Sequence, residues 1–112
     1  MKVIYNKYIP PGNFTAINIF GIIFARKEYR DLSAHILNHE KIHTYQIFEL
    51  LGVFFYILYF AEWLVRLFQY KNKIEAYRNI SFEREAYAND KDPNYLKRRK
   101  LFSFVHYYKK QQ

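Results

Sequence analysis

An α+β domain is what this sequence predicts, with a short N-terminal β-hairpin and three to four helices behind it. β-Branched and aromatic residues crowd the stretch before Arg26, a Pro-Pro-Gly cluster divides that stretch in two, and from Leu32 onward apolar residues recur at three- and four-residue steps. The 112 residues, 51% of them hydrophobic, can bury one modest core and not a second, so residues 1–112 are expected to form a single domain.

Residues up to Ile9 read as a strand, stopped by Pro10-Pro11-Gly12-Asn13. Residues 15–26, mostly Ile, Phe and Ala, read as a second strand, hairpin-paired with the first. Asp31 or Ser33 offers an N-cap for a helix of about four turns, in which Leu32, Ile36, His39, His43, Ile47 and Leu50 share one side. Gly52 interrupts, and residues 53–68 are apolar nearly all round, with Glu62 and Arg66 as their only charges, the pattern of a buried or membrane-embedded helix. The longest charge-free run there, residues 50–61, is well short of the roughly 20 residues that span a bilayer. A core helix is therefore expected, its large rings filling an undersized core. After a break at Lys71-Asn72-Lys73, residues 74–89 carry helical spacing, and Asp90-Lys91-Asp92-Pro93-Asn94 is a turn. Residues 93–110 read as an amphipathic basic helix.

The absence of cysteine excludes disulfides and thiolate metal sites, which leaves His, Asp and Glu as metal ligands. A formal charge of +8 beside 12 Tyr and 11 Phe points to an acidic partner. Nucleic acid is the weaker choice, because the aromatics fall at core-like helical spacings and not interleaved with Lys and Arg. An anionic membrane surface suits better, met through the C-terminal region, where six of the 18 Lys and Arg lie between Lys97 and Lys110. The first residues lack an apolar stretch and cleavage site of the secretory kind, so a cytoplasmic location is expected, with membrane association as an addition.

Within the first predicted helix stands Asn38-His39-Glu40-Lys41-Ile42-His43, a His-Glu-x-x-His pattern. Successive helical residues turn by about 100°, so two His four apart share a face and can grip one Zn²⁺, with Glu40 close to a water held there. Zinc with two His and a carboxylate keeps a fourth position for water, lowers that water's pKa towards 7 and polarises a scissile carbonyl. Glu40 then reads as the general base that takes the water proton and passes it to the leaving amine. The competing reading makes His39, Glu40 and His43 ordinary groups on a solvated helix face. His35 reads as an outer or plain surface residue, because a further protein ligand would close the water position, and His106 as a lone helix His. A third ligand is needed, and Ser81-Phe82-Glu83-Arg84-Glu85 offers two candidates. Glu83 and Glu85 lie about 200° apart around a helix, so only one of them can face the metal.

These residues resemble the gluzincin zinc metallopeptidases, in which His-Glu-x-x-His is followed on another helix by Glu-x-x-Ala-Asp. Glu83-Arg84-Glu85-Ala86-Tyr87 fits that frame. The resemblance implies Glu83 as third zinc ligand beside His39 and His43, with Glu40 as catalytic base. Residues 16–46 are also similar to the core of small bacterial gluzincin-like domains: a strand, a charged loop, then Leu-x-His-Glu-x-x-His-x-x-Gln, filled here by Leu37, His39, Glu40, His43 and Gln46. It implies that residues 17–25 form the edge strand beside the zinc cleft, onto which an extended peptide adds by backbone pairing. Where the frame has Asp, which orients a zinc-bound His, this chain has Tyr87. That Tyr is read as a packed core ring or, alternatively, as a hydrogen-bond donor to an oxyanion.

The expected function is zinc-dependent hydrolysis of a peptide bond in a peptide or protein substrate. The alternative is a non-catalytic basic aromatic module that docks on an anionic membrane surface or a protein partner.

Overall fold

A computed structural model describes residues 2–11, 14–30 and 32–109. Strands β1 (Val3–Asn6), β2 (Ala16–Ile19) and β3 (Ile22–Arg26) form one sheet in the order β1-β3-β2. Among the described residues five helices follow: α1 (Ala34–Glu49), α2 (Val53–Tyr70), α3 (Lys73–Arg78), α4 (Ser81–Asn89) and the single turn α5 (Tyr95–Arg98). The class is α+β, as the sequence predicts, with one strand and one helix more than the spacing suggests.

The sheet differs from the expected hairpin. β1 ends at Asn6 because its Oδ1 accepts the backbone N–H of Tyr8 at 2.8 Å and of Ile9 at 2.6 Å, a turn that lifts the chain off the sheet before Ile9. The 15–26 run is two strands, since Phe20 (φ 50°) and Gly21 (φ 89°) both take positive φ and make a two-residue hairpin turn. A Cβ on Gly21 would also come to 3.3 Å from the Phe48 ring. So β2 and β3 are the hairpin, and β1 joins β3 in parallel. Gly12 and Asn13 of the expected turn lie outside the described residues, as does the N-cap candidate Asp31; Ser33 occupies the N-cap position of α1.

Three apolar clusters fix the layout. Ile23 and Ala25 of β3 are fully buried against Leu32 and Ile36, which seats α1 on the sheet. Ile47 of α1, Phe55 of α2 and Phe82 of α4 make the second cluster, and Ile42, Ala86 and Tyr95 the third. The last two join α1 to α4, and each large side chain buried there contributes about 1.5–3 kcal/mol.

The helix expected over 74–89 is two helices. Ser81 donates both its backbone N–H and its hydroxyl to the Glu62 carboxylate of α2, each at 2.6 Å, and α4 starts there instead of continuing α3. Asn72 opens α3, its Oδ1 accepting the N–H groups of Ile74 and Glu75 at 3.0 Å. The basic helix expected over 93–110 does not form either. Arg99 turns inward to Glu49 and Glu85, Phe102 bends the chain with φ 58°, and only a 3₁₀ stretch, Ser103–Tyr107, follows. Lys110 lies outside the described residues.

Burial in α2 meets expectation only in part. Its inward side holds Phe55 and both charges, Glu62 and Arg66, while Phe54, Ile57, Phe60, Leu64 and Phe68 are exposed. Its rings therefore divide: Phe55, Tyr56, Tyr59 and Trp63 pack on the core beside the Glu62–Arg66 pair, while Phe54, Phe60 and Phe68 face outward. Among the described residues no single helix is long and apolar enough to cross a membrane.

Candidate metal centre

The buried face of α1 carries His39 and His43, and α4 packs across it so that Glu83 meets both. His39 Nε2 and His43 Nε2 are 3.2 Å apart, and Glu83 Oε1 is 3.2 Å from each. The three atoms make a triangle of equal sides. Around a tetrahedral ion with metal–ligand distances of about 2.0–2.1 Å, neighbouring ligand atoms sit roughly 3.3 Å apart. Both the donor types and their spacing therefore fit a cation of that size, and this group can hold a metal ion. His39, Glu40 and His43 are all buried, which overturns the solvated-face reading. Glu85 points elsewhere, accepting from Gln46 Nε2 at 3.0 Å, Tyr95 OH at 2.6 Å and the Arg99 guanidinium.

Each donor is aimed by a partner behind it. His39 Nδ1 donates to Asp90 Oδ2 at 3.0 Å, and His43 Nδ1 to Gln46 Oε1 at 2.8 Å. The Gln46 amide is oriented independently, since its Nε2 donates to the Phe82 carbonyl at 3.1 Å and to Glu85, which leaves Oε1 for His43. With both Nδ1 atoms donating, both Nε2 atoms turn to one point. Glu83 is steadied by Tyr59, whose hydroxyl donates to Oε2 at 2.5 Å.

The gluzincin-like frame places Gln46, but sequence reasoning misses Asp90 and Tyr59. Asp90 stands two helical turns beyond Glu83, just past the end of α4, and accepts the His39 Nδ1 proton. A carboxylate on the ligand's own helix face, two turns on, is the signal that marks it. Tyr59 lies in an apolar run and carries no such signal. Asp90→Ala is expected to lower metal affinity about 10–100-fold, read by chelator competition. Asp90→Asn, whose carbonyl still accepts the His39 proton, loses less; unchanged affinity in Asp90→Ala would take Asp90 out of the site.

Burial disfavours a charge on His43, but the Glu83 carboxylate beside it outweighs burial and raises the imidazole from 6.5 to about 9. Burial would likewise raise Glu83, yet His43 and the hydrogen bonds from both histidines hold it far below the ordinary carboxylate range. The two shifts describe one tight ion pair, whose proton a cation must displace.

Glu40 is pushed above the ordinary carboxylate range by burial, countered in part by His43 and His39 and reinforced by Glu83. Its backbone carbonyl accepts from Asn18 and Thr44, and its side chain lines the cleft. A base of raised pKa, open to a cavity, is what proton transfer to and from water requires. Glu40, His43 and Glu83 border an apolar cavity of about 350 Å³ walled by Phe14, Ile17, Phe55, Tyr59 and Tyr77. A second, more polar space meets His39, Glu40 and Tyr87. Tyr87 is 39% exposed and so is not a core ring. It packs edge-on against His39, with centroids 4.5 Å apart, and its hydroxyl lies 3.2 Å from that of Tyr77.

β2 is the free edge of the sheet beside this cavity, pinned to α1 by Asn18. Its Nδ2 donates to the Glu40 carbonyl at 2.7 Å and to Thr44 Oγ1 at 2.6 Å, while Oδ1 accepts the Gly21 N–H at 2.8 Å. With Ile17 facing Phe24, antiparallel alternation turns the backbone groups of Ala16 and Asn18 away from β3. The edge strand expected over 17–25 is thus β2 alone, its second half being the central strand. His35 is exposed, its Nδ1 3.2 Å from Ser33 Oγ, and His106 is exposed on the 3₁₀ stretch, so neither joins the centre. No protein-family model, no curated protein and no solved structure matches the chain.

Proposed function

We propose that this chain is a minimal zinc-dependent metallopeptidase of the gluzincin kind, hydrolysing a peptide bond in a peptide or protein substrate. The observation that supports it most is the equal-sided triangle of His39 Nε2, His43 Nε2 and Glu83 Oε1 beside the Glu40 carboxylate. His39, His43 and Glu83 would hold the zinc, which supplies Lewis acidity that polarises a carbonyl and makes water nucleophilic near neutral pH.

The chain's own residues do the remainder. Glu40 takes the proton of the attacking water on its carboxylate and delivers it to the leaving amine nitrogen, and its raised pKa serves both transfers. An extended peptide adds to β2 through the backbone groups of Ala16 and the N–H of Asn18, whose carbonyl already accepts from the Tyr56 hydroxyl at 3.3 Å, with a bulky apolar side chain seated in the 350 Å³ cavity. The Tyr77 hydroxyl, paired with that of Tyr87, stands on the cavity wall as a donor to the carbonyl oxygen as charge builds there. Burial first, and then Glu83, keep the Tyr77 phenol protonated.

Protein purified without chelator is expected to carry stoichiometric zinc and to cleave a mixed peptide library beside bulky apolar side chains. Glu40→Gln should keep the metal and lose about 10²–10⁴-fold in turnover. A metal-free intact protein, or full turnover in Glu40→Gln, refutes the proposal.

A further inference from the structure

α2 is an inside-out helix. Both its charged residues face the protein, with the Arg66 side chain bonded to Glu62 and Gln69, and both are buried. The opposite arc is apolar from end to end: Phe54, Ile57, Phe60, Leu64, Val65 and Phe68 are all exposed, Phe68 by 84%. At about 100° per residue these side chains cover an arc of roughly 140°, along some 20 Å of helix. That is broader than the narrow seam of a coiled coil. The surface also continues past the helix. At its N-terminal end Phe20 and Phe48 are exposed, Phe20 against Gly52 at the start of α2 and Phe48 against Gly21 in the hairpin turn, and along its flank Val105 and Tyr108 share a shallow groove with Leu58 and Val65.

Charge decides what covers this face. Glu40, Glu62, Glu83, Glu85 and Asp90 are buried, and the Glu49 side chain turns inward onto Arg99. Basic groups remain outside: Lys71 and Lys73 just beyond α2, Lys97 and Lys100 shortly before the residues that line the groove, and Lys109 directly after them, while Arg98 pairs with Asp92. The chain's excess of +8 is therefore displayed at the surface while much of its negative charge is hidden. A second copy would bring the same positive charge to the contact and repel. An anionic bilayer attracts the lysines and accepts the rings, and fluid lipid conforms to a convex face that wraps around a helix.

We propose that the outer face of α2, with the 101–108 segment as its flank, is a docking surface for an anionic lipid bilayer, on which the domain lies without spanning it. This stands independently of the metal reading. Phe55 and Tyr59, on the inner side of the same helix, line the cavity at the metal centre, so docking holds that cavity about one helix diameter, roughly 10 Å, from the lipid.

The probe is a set of vesicles of phosphatidylcholine alone or with about a third phosphatidylserine, read by sedimentation and by quenching of Trp63, the single tryptophan, with brominated lipid. The full chain should partition onto the anionic vesicles, at least about tenfold more weakly onto the neutral ones, and less as salt rises. Ile57→Glu/Leu64→Glu should abolish binding while keeping the wild-type circular dichroism and zinc content, which separates a failure of docking from a failure of the metal centre. The inference is overturned if wild type ignores anionic vesicles or binds both kinds equally. It is equally overturned if wild type is a dimer in solution that the double variant splits, because the face then belongs to a second copy.

Discussion

Glu85→Ala is expected to unfold the domain under conditions in which Glu83→Ala stays folded and merely loses its metal. The two carboxylates are one residue apart from being neighbours, yet they answer to different structures. Glu85 is fully buried and accepts from Gln46, Tyr95 and Arg99, and Arg99 in turn grips Glu49 at 2.7 and 3.0 Å. Removing one member of such a buried pair costs about 3–5 kcal/mol, against a total of about 5–15 kcal/mol for a whole domain. Tyr95 loses its acceptor as well, and Gln46 is left with the Phe82 carbonyl as its one remaining acceptor. Glu83 is the anion between two histidines. Without it His43 reverts to the neutral ring that burial favours, so no buried charge is stranded. Thermal melts and zinc content of the two variants decide the matter. Metal retained in Glu83→Ala, or a wild-type melt without metal in Glu85→Ala, would exchange their roles and sink the assignment.

What the sequence reveals of this molecule is what short-range periodicity and spacing encode. The four-turn helix, its stop near Gly52, the break at Asn72 and the His39, Glu40 and His43 face all follow from residues within a turn or two of each other, whereas spacing leaves Glu83 and Glu85 open and only the resemblance singles out Glu83. Two of the errors share a cause, which is that a distant partner decides. α4 begins at Ser81 because Glu62, on another helix, supplies its first acceptor. The basic tail fails to continue as a helix because Arg99 finds Glu49 and Glu85 inside. The hairpin turn at Phe20-Gly21 is masked by a run of Ile and Phe with no Asn-Gly signal. α2 is the deepest case: a helix apolar all round has no inner side written in its periodicity. Its two charges supply one, in the sense opposite to the usual amphipathic rule.

Glu62→Ala should therefore weaken metal binding although Glu62 is no ligand. Its carboxylate does two tasks at once, pairing with the buried Arg66 and accepting both donors of Ser81. Stranding Arg66 costs about 3–5 kcal/mol, and losing the helix-start acceptor about 0.5–2 kcal/mol more. Glu83 sits in the first turn of α4, so a frayed start lets it drift from His39 and His43. The two effects can be separated. In Glu62→Leu/Arg66→Met the whole ion pair becomes apolar, a change that is often neutral for stability, but Ser81 is still without its acceptor. That double variant should recover most of the melting temperature lost in Glu62→Ala while its zinc affinity stays low. If affinity returns together with stability, Glu62 acts on the metal centre only through global folding, and the start of α4 is not what positions Glu83.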